Sequence, residues 1–414
     1  MTASRFGPLH EREFRLLFAG RTTSMLGSAI ARIALAFAVL DLTGSASDLG
    51  LVLASYSVAT IVLLLIGGVW ADRLPRHHVM VAANVGSSVT QAVVAVLLLT
   101  GNAQVWELAV LAFLNGASTA FFFPASSGIV PQTVPPELQQ QANAALRLGL
   151  NSTTIVGAAL GGLLVAATSP GWAIAFDAAT FGVAAVTIAA MHLPPGMRMP
   201  GSTVVHELRE GWTDFWSRGW LWAIVLQFGI VNAFESGALG ILGPQVAKAD
   251  LGGPAAWGAV LAATSIGLVL SGTVMLRWRP RRILYVATLS VFPLALPLLA
   301  LARPASLVIV VAAGFVAGFC IEIFGVLWDT AMQQEIPQEK LSRLSSFDAL
   351  GSWGLMPVAL AVIGPISAAI GTRATLLASA GLVIAATLLV LLSDDVRHLE
   401  RRGASPALAE NVPA

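Results

Sequence analysis

Twelve apolar stretches, each about twenty residues or longer, dominate this chain. They cover 14–41, 49–71, 79–100, 106–130, 141–167, 171–193, 220–246, 255–277, 283–302, 305–332, 344–369 and 373–393. A bilayer core takes about 20 mostly apolar residues per helix, and within it every backbone polar group must be bonded inside the structure. Membrane strands are excluded, because the runs are too long and lack a period of two. Of the 414 residues, 56% are hydrophobic and 11% charged, too few charges to cover a water-exposed surface, for which about 25% is usual. The expected fold class is an all-α membrane protein with twelve transmembrane helices. The first run, Phe14 to Leu42, is too long for a cleavable leader and no A-x-A site follows it.

The connectors alternate in charge. GNAQ (101–104), SPG (169–171) and RP (303–304) are short and nearly uncharged, while the others carry arginines. Of the 23 lysines and arginines, Lys248, Arg303 and Arg373 fall on the side opposite the N-terminus. Arg21, Arg32 and Arg147 fall within spans or at their ends, and the rest lie on the N-terminal side. The positive-inside rule then places both termini in the cytoplasm, with the chain in the cell membrane. The net charge of +1 gives no reason to expect a nucleic-acid partner. The single cysteine, Cys320, rules out an internal disulfide framework.

The chain repeats itself. Displaced by 202 residues, 113–149 overlays 315–351 without a gap and with eight identities in 37 positions, among them Phe122/Phe324, Pro135/Pro337 and Glu137/Glu339. A second register, 208, pairs Gly50, Ser57, Trp70 and Arg73 with Gly258, Ser265, Trp278 and Arg281. Six spans therefore form one unit and six the other, a parallel duplication known among transporters. The expected units are 1–193, a linker 194–219, 220–393 and a tail 394–414. The linker opens with the Pro/Gly-rich LPPGMRMPGS (193–202). It then places Val205, Leu208, Trp212, Phe215 and Trp216 on one helical face, the pattern of an interfacial amphipathic helix.

One loop is unusually charged. GGVWADRLPRHHVM (67–80) packs Asp72, Arg73, Arg76, His77 and His78 between two apolar runs. Two six-span halves, a linker between spans 6 and 7 and this charged 2–3 loop together resemble the major facilitator superfamily. That family's loop motif, G-x-x-x-D-R-x-G-R-[RK], is matched by Gly68, Asp72, Arg73 and Arg76, with Pro75 and His77 departing from it. The resemblance implies that the loop latches the two halves on the cytoplasmic side. The residues alone also allow charges that only set topology. Asp348, early in span 11, is the expected partner of Arg73 or Arg76, or else merely caps its own helix. Gly157, Gly161 and Gly162 in GLNSTTIVGAALGG (149–162) resemble the fifth-span motif of antiporters, although Ala158 replaces its proline. Gly157 and Gly161 equally make a GxxxG face for close helix packing. Residues 19–47 resemble the drug- and siderophore-exporter branch, near the macrolide-efflux and enterobactin-exporter proteins.

In this family spans 1, 4, 7 and 10 line a central cavity. Arg32, Glu235 and Glu322 fall in spans 1, 7 and 10, and Asp329 follows Glu322 on the same helix face. Charges at membrane depth are costly and usually functional. Phe121, Phe122 and Phe123 offer aromatic surface in span 4. Such a set suits an amphipathic, cationic organic molecule and a proton-exchanging carboxylate, or else structural ion pairs. Asp177 reads as structural. The two lysines, Lys248 and Lys340, do not follow a glycine, so no ATP-binding loop is present, and the six histidines lie in loops or at span ends. No cofactor, metal or catalytic cluster is expected. The resemblance implies a monomeric, proton-coupled exporter of small hydrophobic or amphipathic compounds. Import or lysolipid flipping on the same fold remains open, because a fold fixes neither direction nor cargo. An enzyme or a channel has no motif to support it.

Overall fold

The structure, a computed structural model, describes residues 7–127, 129–193, 212–275, 277–303 and 306–400. Twelve helices long and apolar enough to cross a membrane run through these residues. The first six are α1 (Arg12–Thr43), α2 (Ala46–Arg73), α3 (Arg76–Leu99), α4 (Val105–Ser127), α5 (Gln139–Ala167) and α6 (Pro170–Ala189). The second six are α7 (Gly219–Leu251), α8 (Pro254–Met275), α9 (Ile283–Ala302), α10 (Leu307–Glu335), α11 and α12 (Thr372–Val390). Helix α11 is built from two pieces, Gln338–Trp353 and Met356–Ile370.

Local chemistry sets the helix ends. Gly44 closes α1 in the left-handed region at φ 66°, its N–H donating to the Leu40 carbonyl. Ser45 then caps α2 by accepting the Asp48 N–H at 3.2 Å. Between α2 and α3, Pro75 starts the next helix by supplying no N–H where none is needed. Helix α7 is less regular than its sequence suggests. One π turn, Asn232–Ser236, interrupts it, and a second, Ala247–Leu251, ends it.

The halves repeat in packing as well as in sequence. In the first, α2 packs on α4, α3 on α6, and α1 on α5 and α6; in the second, α8 packs on α10 and α9 on α12. Inside the first half, Asp177 is fully buried between α1, α3 and α6. Its carboxylate accepts from Gln91 Nε2 at 2.5 Å, Thr180 Oγ1 at 3.4 Å and Ser28 Oγ at 3.5 Å. That is the structural role its position implied. The amphipathic linker lies mostly outside the described residues. Its visible end, 212–217, is helical and clamps the second half. Phe215 and Trp212 pack on Phe347, and Asp214 pairs with Lys340 at 3.3 Å and Arg218 at 3.5 Å.

The two halves meet through α2 against α11 and α5 against α8. Both contacts lie near the ends of those helices farthest from the termini, here called the distal side. Four glycines make them possible. A Cβ on Gly258 would stand 2.7 Å from the Ala158 carbonyl, and one on Gly162 would stand 2.6 Å from the Pro254 carbonyl. A Cβ on Gly50 would strike the Leu360 carbonyl, and one on Gly364 would strike Ser47 and the Ala46 carbonyl. Adding 208 to 46 and 50 gives 254 and 258, and adding 202 to 158 and 162 gives 360 and 364, which converts one contact set into the other. The distal seam is therefore built twice from the same duplicated residues. Lys248 adds a polar clasp, donating to the Leu40 carbonyl at 2.7 Å and pairing with Asp41 at 2.6 Å. That pair is about half exposed and contributes at most about 1 kcal/mol.

The apolar core follows the same division. One cluster runs through the second half and joins the distal parts of the first, including Phe37, Leu40, Leu49 and Val52. The terminal-side core of the first half is a separate cluster around Phe14, Leu17, Met80, Ile129 and Leu146. Among the described residues, the halves thus share a core on the distal side and keep separate cores toward the termini.

Overpacking a close seam costs about 1–3 kcal/mol, so Gly162→Val should open the distal side. In a Cys320→Ala background, a cysteine at the buried Ala46 position should then react several-fold faster with a membrane-impermeant maleimide. Unchanged reactivity would show that the glycine contacts do not hold the seam.

Candidate functional site

Among the described residues, the second half lines an open cavity of ≈ 520 Å³, within the range that takes a drug-sized molecule. Its lining comes from α7, α8, α9, α10 and α11. Three carboxylates face it: Glu235 on α7, Glu322 on α10 and Asp348 on α11. Phe228, Phe324, Trp328 and Trp353 supply aromatic surface.

Each acid is placed by its own helix. Glu235 sits in the first π turn of α7, and π turns recur at functional sites because they redirect side chains. Its Oε2 accepts the Ser236 hydroxyl at 2.7 Å. In the same turn Asn232 donates to the Ser352 carbonyl at 2.9 Å, tying α7 to α11. Asp348 is held on both oxygens, by Trp328 Nε1 at 3.0 Å and by Ser352 Oγ at 3.0 Å. Glu322 lies beside Gly272 of α8, where an added Cβ would stand 3.9 Å from its Oε1, an ordinary contact. The charge of Arg147, on α5 of the first half, reaches Glu322 and Asp329 without forming an ion pair.

The aromatic wall is continuous. Phe228 stacks on Phe324 with ring centroids 4.0 Å apart, Phe324 stacks on Trp328 at 6.0 Å, and Trp220 meets Trp328 edge-on at 5.6 Å. Trp328 is shared between wall and acids, since its ring faces Phe324 while its N–H fixes Asp348. The arrangement can neutralise a cation on one side and cover an apolar body on the other.

The structure gathers only part of the expected set. Glu235 and Glu322 line the cavity, and Asp329 lies farther along α10 at an exposed position. Arg32 does not join them. It is exposed on α1, where its charge reaches Asp177 rather than either glutamate. Phe121 and Phe122 also turn elsewhere. Phe121 packs edge-on against Trp70 at 6.2 Å, and Phe121 and Phe122 pack on the terminal-side core of the first half. The aromatic surface comes instead from α7, α10 and α11.

Asp348, expected at the latch, has its two oxygens engaged by Trp328 and Ser352 in this conformation. Of the latch itself, Gly68 and the side chains of Asp72 and Arg73 lie outside the described residues, while Arg76 opens α3. The glycine motif divides its work. Gly157 and Gly161 pack α5 onto Ala29 and Ile30 of α1, whereas Gly162 faces α8 across the seam. Asn232, Trp328, Ser352 and Trp353 had no sequence signal, although the repeat did mark Phe324 through its identity with Phe122.

Comparison with known proteins agrees with this architecture. The family model described as Major Facilitator Superfamily matches residues 17–357. Multidrug efflux pump Tap of Mycolicibacterium fortuitum is 27% identical, over 91% of this chain and 93% of its own. Macrolide efflux protein A of Streptococcus pyogenes is 23% identical, over 94% and 97%. Enterobactin exporter EntS of Escherichia coli K12 is 26% identical, over 94% and 93%. Among solved structures, a peptide transporter POT variant superposes with a TM-score of 0.76 at 14% identity, covering 97% of both chains. A variant of the nucleoside transporter NupG superposes with a TM-score of 0.75 at 13% identity, covering 91% of this chain and 99% of that one. At such identities these structures speak for the fold alone. The twelve-helix duplicated fold, its polar cavity and the match over most of its length make this chain a member of the major facilitator superfamily, a membrane transporter related to efflux pumps.

Proposed function

We propose that the protein is a proton-coupled exporter of hydrophobic or amphipathic organic compounds. It works as a monomer in the cell membrane, with both termini in the cytoplasm. The observation that carries this reading is the seam that joins the halves on the distal side among the described residues. The halves are joined at the distal seam, while an acidic, aromatic cavity lies between that seam and the terminal face. With the termini cytoplasmic, this is the conformation in which an exporter loads its cargo. The efflux-pump relatives support the direction. Glu235 and Glu322 are the carboxylates that would carry coupling, because they face the cavity from helices that contact the seam. Inside-out vesicles acidified within should accumulate cargo, and a protonophore should abolish the accumulation. Uptake that a protonophore leaves unchanged would rule out proton coupling.

The 2–3 loop is proposed to fasten the terminal side in the opposite conformation. There Asp348 would leave Trp328 and Ser352 for Arg73 or Arg76, with Asp72 toward the start of α11. A partly exposed pair contributes about 0–1 kcal/mol, weak enough to break in every cycle. Asp348→Arg should impair transport, and adding Arg76→Asp should partly restore it. A double variant no better than the worse single one would reject the pairing.

A further inference from the structure

The loops between the second and third helices of each half are copies that have diverged in charge. In the 208-residue register Trp278 stands for Trp70 and Arg281 for Arg73, whereas Pro280 replaces Asp72. Arg277, Arg279 and Arg282 stand where the first copy has Val69, Ala71 and Leu74. The α8–α9 loop, RWRPRR (277–282), thus carries four arginines and no carboxylate. Setting topology needs an excess of bases and gives no reason to lose the acid beside them.

These charges have no counter-charge within the fold. All four arginines are exposed, and none forms an ion pair among the described residues. The Arg282 backbone bridges to that of Glu400, which anchors the loop without pairing the two side chains. Arg277 and Trp278 extend the end of α8, their N–H groups donating to the Val274 carbonyl at 3.1 and 3.0 Å. With Thr273 and Val274 they line an open cavity of ≈ 380 Å³. From there Ile266, Leu270 and Val274, each four residues from the next, form an exposed apolar stripe along α8. Ile266 and Leu270 lie two residues, about half a turn, from Thr264 and Leu268, which line the transport cavity. The stripe therefore faces away from that cavity, toward lipid.

We propose that the α8–α9 loop binds the phosphate headgroup of an anionic phospholipid, with an acyl chain along Ile266, Leu270 and Val274. Guanidinium groups fit phosphate oxygens in pairs, and a tryptophan ring settles at headgroup depth. A free phosphate would use the arginines alone. The apolar stripe that starts beneath them is the complement of an acyl chain, and basic pockets at helix ends are suited to anionic headgroups. The site is separate from the transport cavity, so it stands whatever the cargo is.

Lipids brominated on the acyl chain quench a tryptophan that they touch, which makes Trp278 the reporter. Full-length protein is placed in phosphatidylcholine nanodiscs with rising fractions of brominated phosphatidylglycerol or brominated phosphatidylcholine. The same titrations of Trp278→Phe supply the background from the other tryptophans. The anionic lipid should quench Trp278 at a mole fraction about tenfold lower than the zwitterionic one. Arg277→Gln combined with Arg281→Gln should bring the two lipids together. Quenching by brominated phosphatidylcholine in that variant shows that the chain is still inserted. Arg12→Gln, which removes a terminal-side charge already paired with Glu13 at 2.7 Å, should leave the preference intact. Equal quenching by the two lipids, or a preference that survives loss of both arginines, would overturn the proposal. Displacement of the lipid by excess inorganic phosphate at constant ionic strength would make this a site for a free anion and would overturn the lipid assignment.

Discussion

Backbone meeting backbone at four glycines is the contact on which the arrangement of the two halves depends. In a bilayer, lipid tails solvate leucine as well as protein does, so helices gain little from burying apolar side chains against each other. Close approach is what remains, through dispersion and short polar contacts, and only glycine permits it here. Gly50 and Gly364 make the contact between α2 and α11, and Gly258 and Gly162 make the one between α8 and α5. The two contacts are copies of one another in sequence, so the seam has the symmetry of the duplication. A seam of this kind is narrow and has no charges at its centre. The Lys248–Asp41 clasp lies at its edge. Such a seam can part without exposing a buried ion pair.

The chemistry breaks the symmetry that the scaffold keeps. Both halves pack their helices in the same order, yet among the described residues the cavity acids and the long aromatic stack belong to the second half. The first half has its own buried carboxylate, Asp177, but encloses it with Gln91, Thr180 and Ser28 away from the cavity. The cavity's acids and rings, among the described residues, therefore lie in one half and the enclosed Asp177 in the other. The irregularity of α7 fits that division, because its π turn lies where Glu235 and Asn232 must reach the cavity and α11.

The sequence made the scaffold legible and the chamber only partly so. Twelve apolar runs could be counted because lipid enforces length and composition. The repeat showed through Pro135/Pro337 and Glu137/Glu339, since loops tolerate little coincidence among polar residues. Glu235 and Glu322 stood out because membrane charges are rare. Arg32 stood out for the same reason and proved to lie elsewhere, since which way a helix turns its face is set by its neighbours. The rings of Phe121 and Phe122 failed as cavity residues on the same ground. Trp328 and Asp348 are twenty residues apart and on different helices, so no periodicity could join them. A π turn leaves no signature in NAFES (232–236) that a regular helix would lack.

Reciprocal movement of the two ends is the most direct measure of alternating access. In a Cys320→Ala background, spin labels at the exposed Leu148 and Leu350 report the terminal side, and labels at the exposed Thr168 and Asp250 report the distal side. Distances are measured in liposomes with and without a proton gradient. A population in which the terminal pair shortens while the distal pair lengthens is expected. Two pairs that keep a single distance under every condition, or that lengthen together, would contradict rocking of the halves about the cavity.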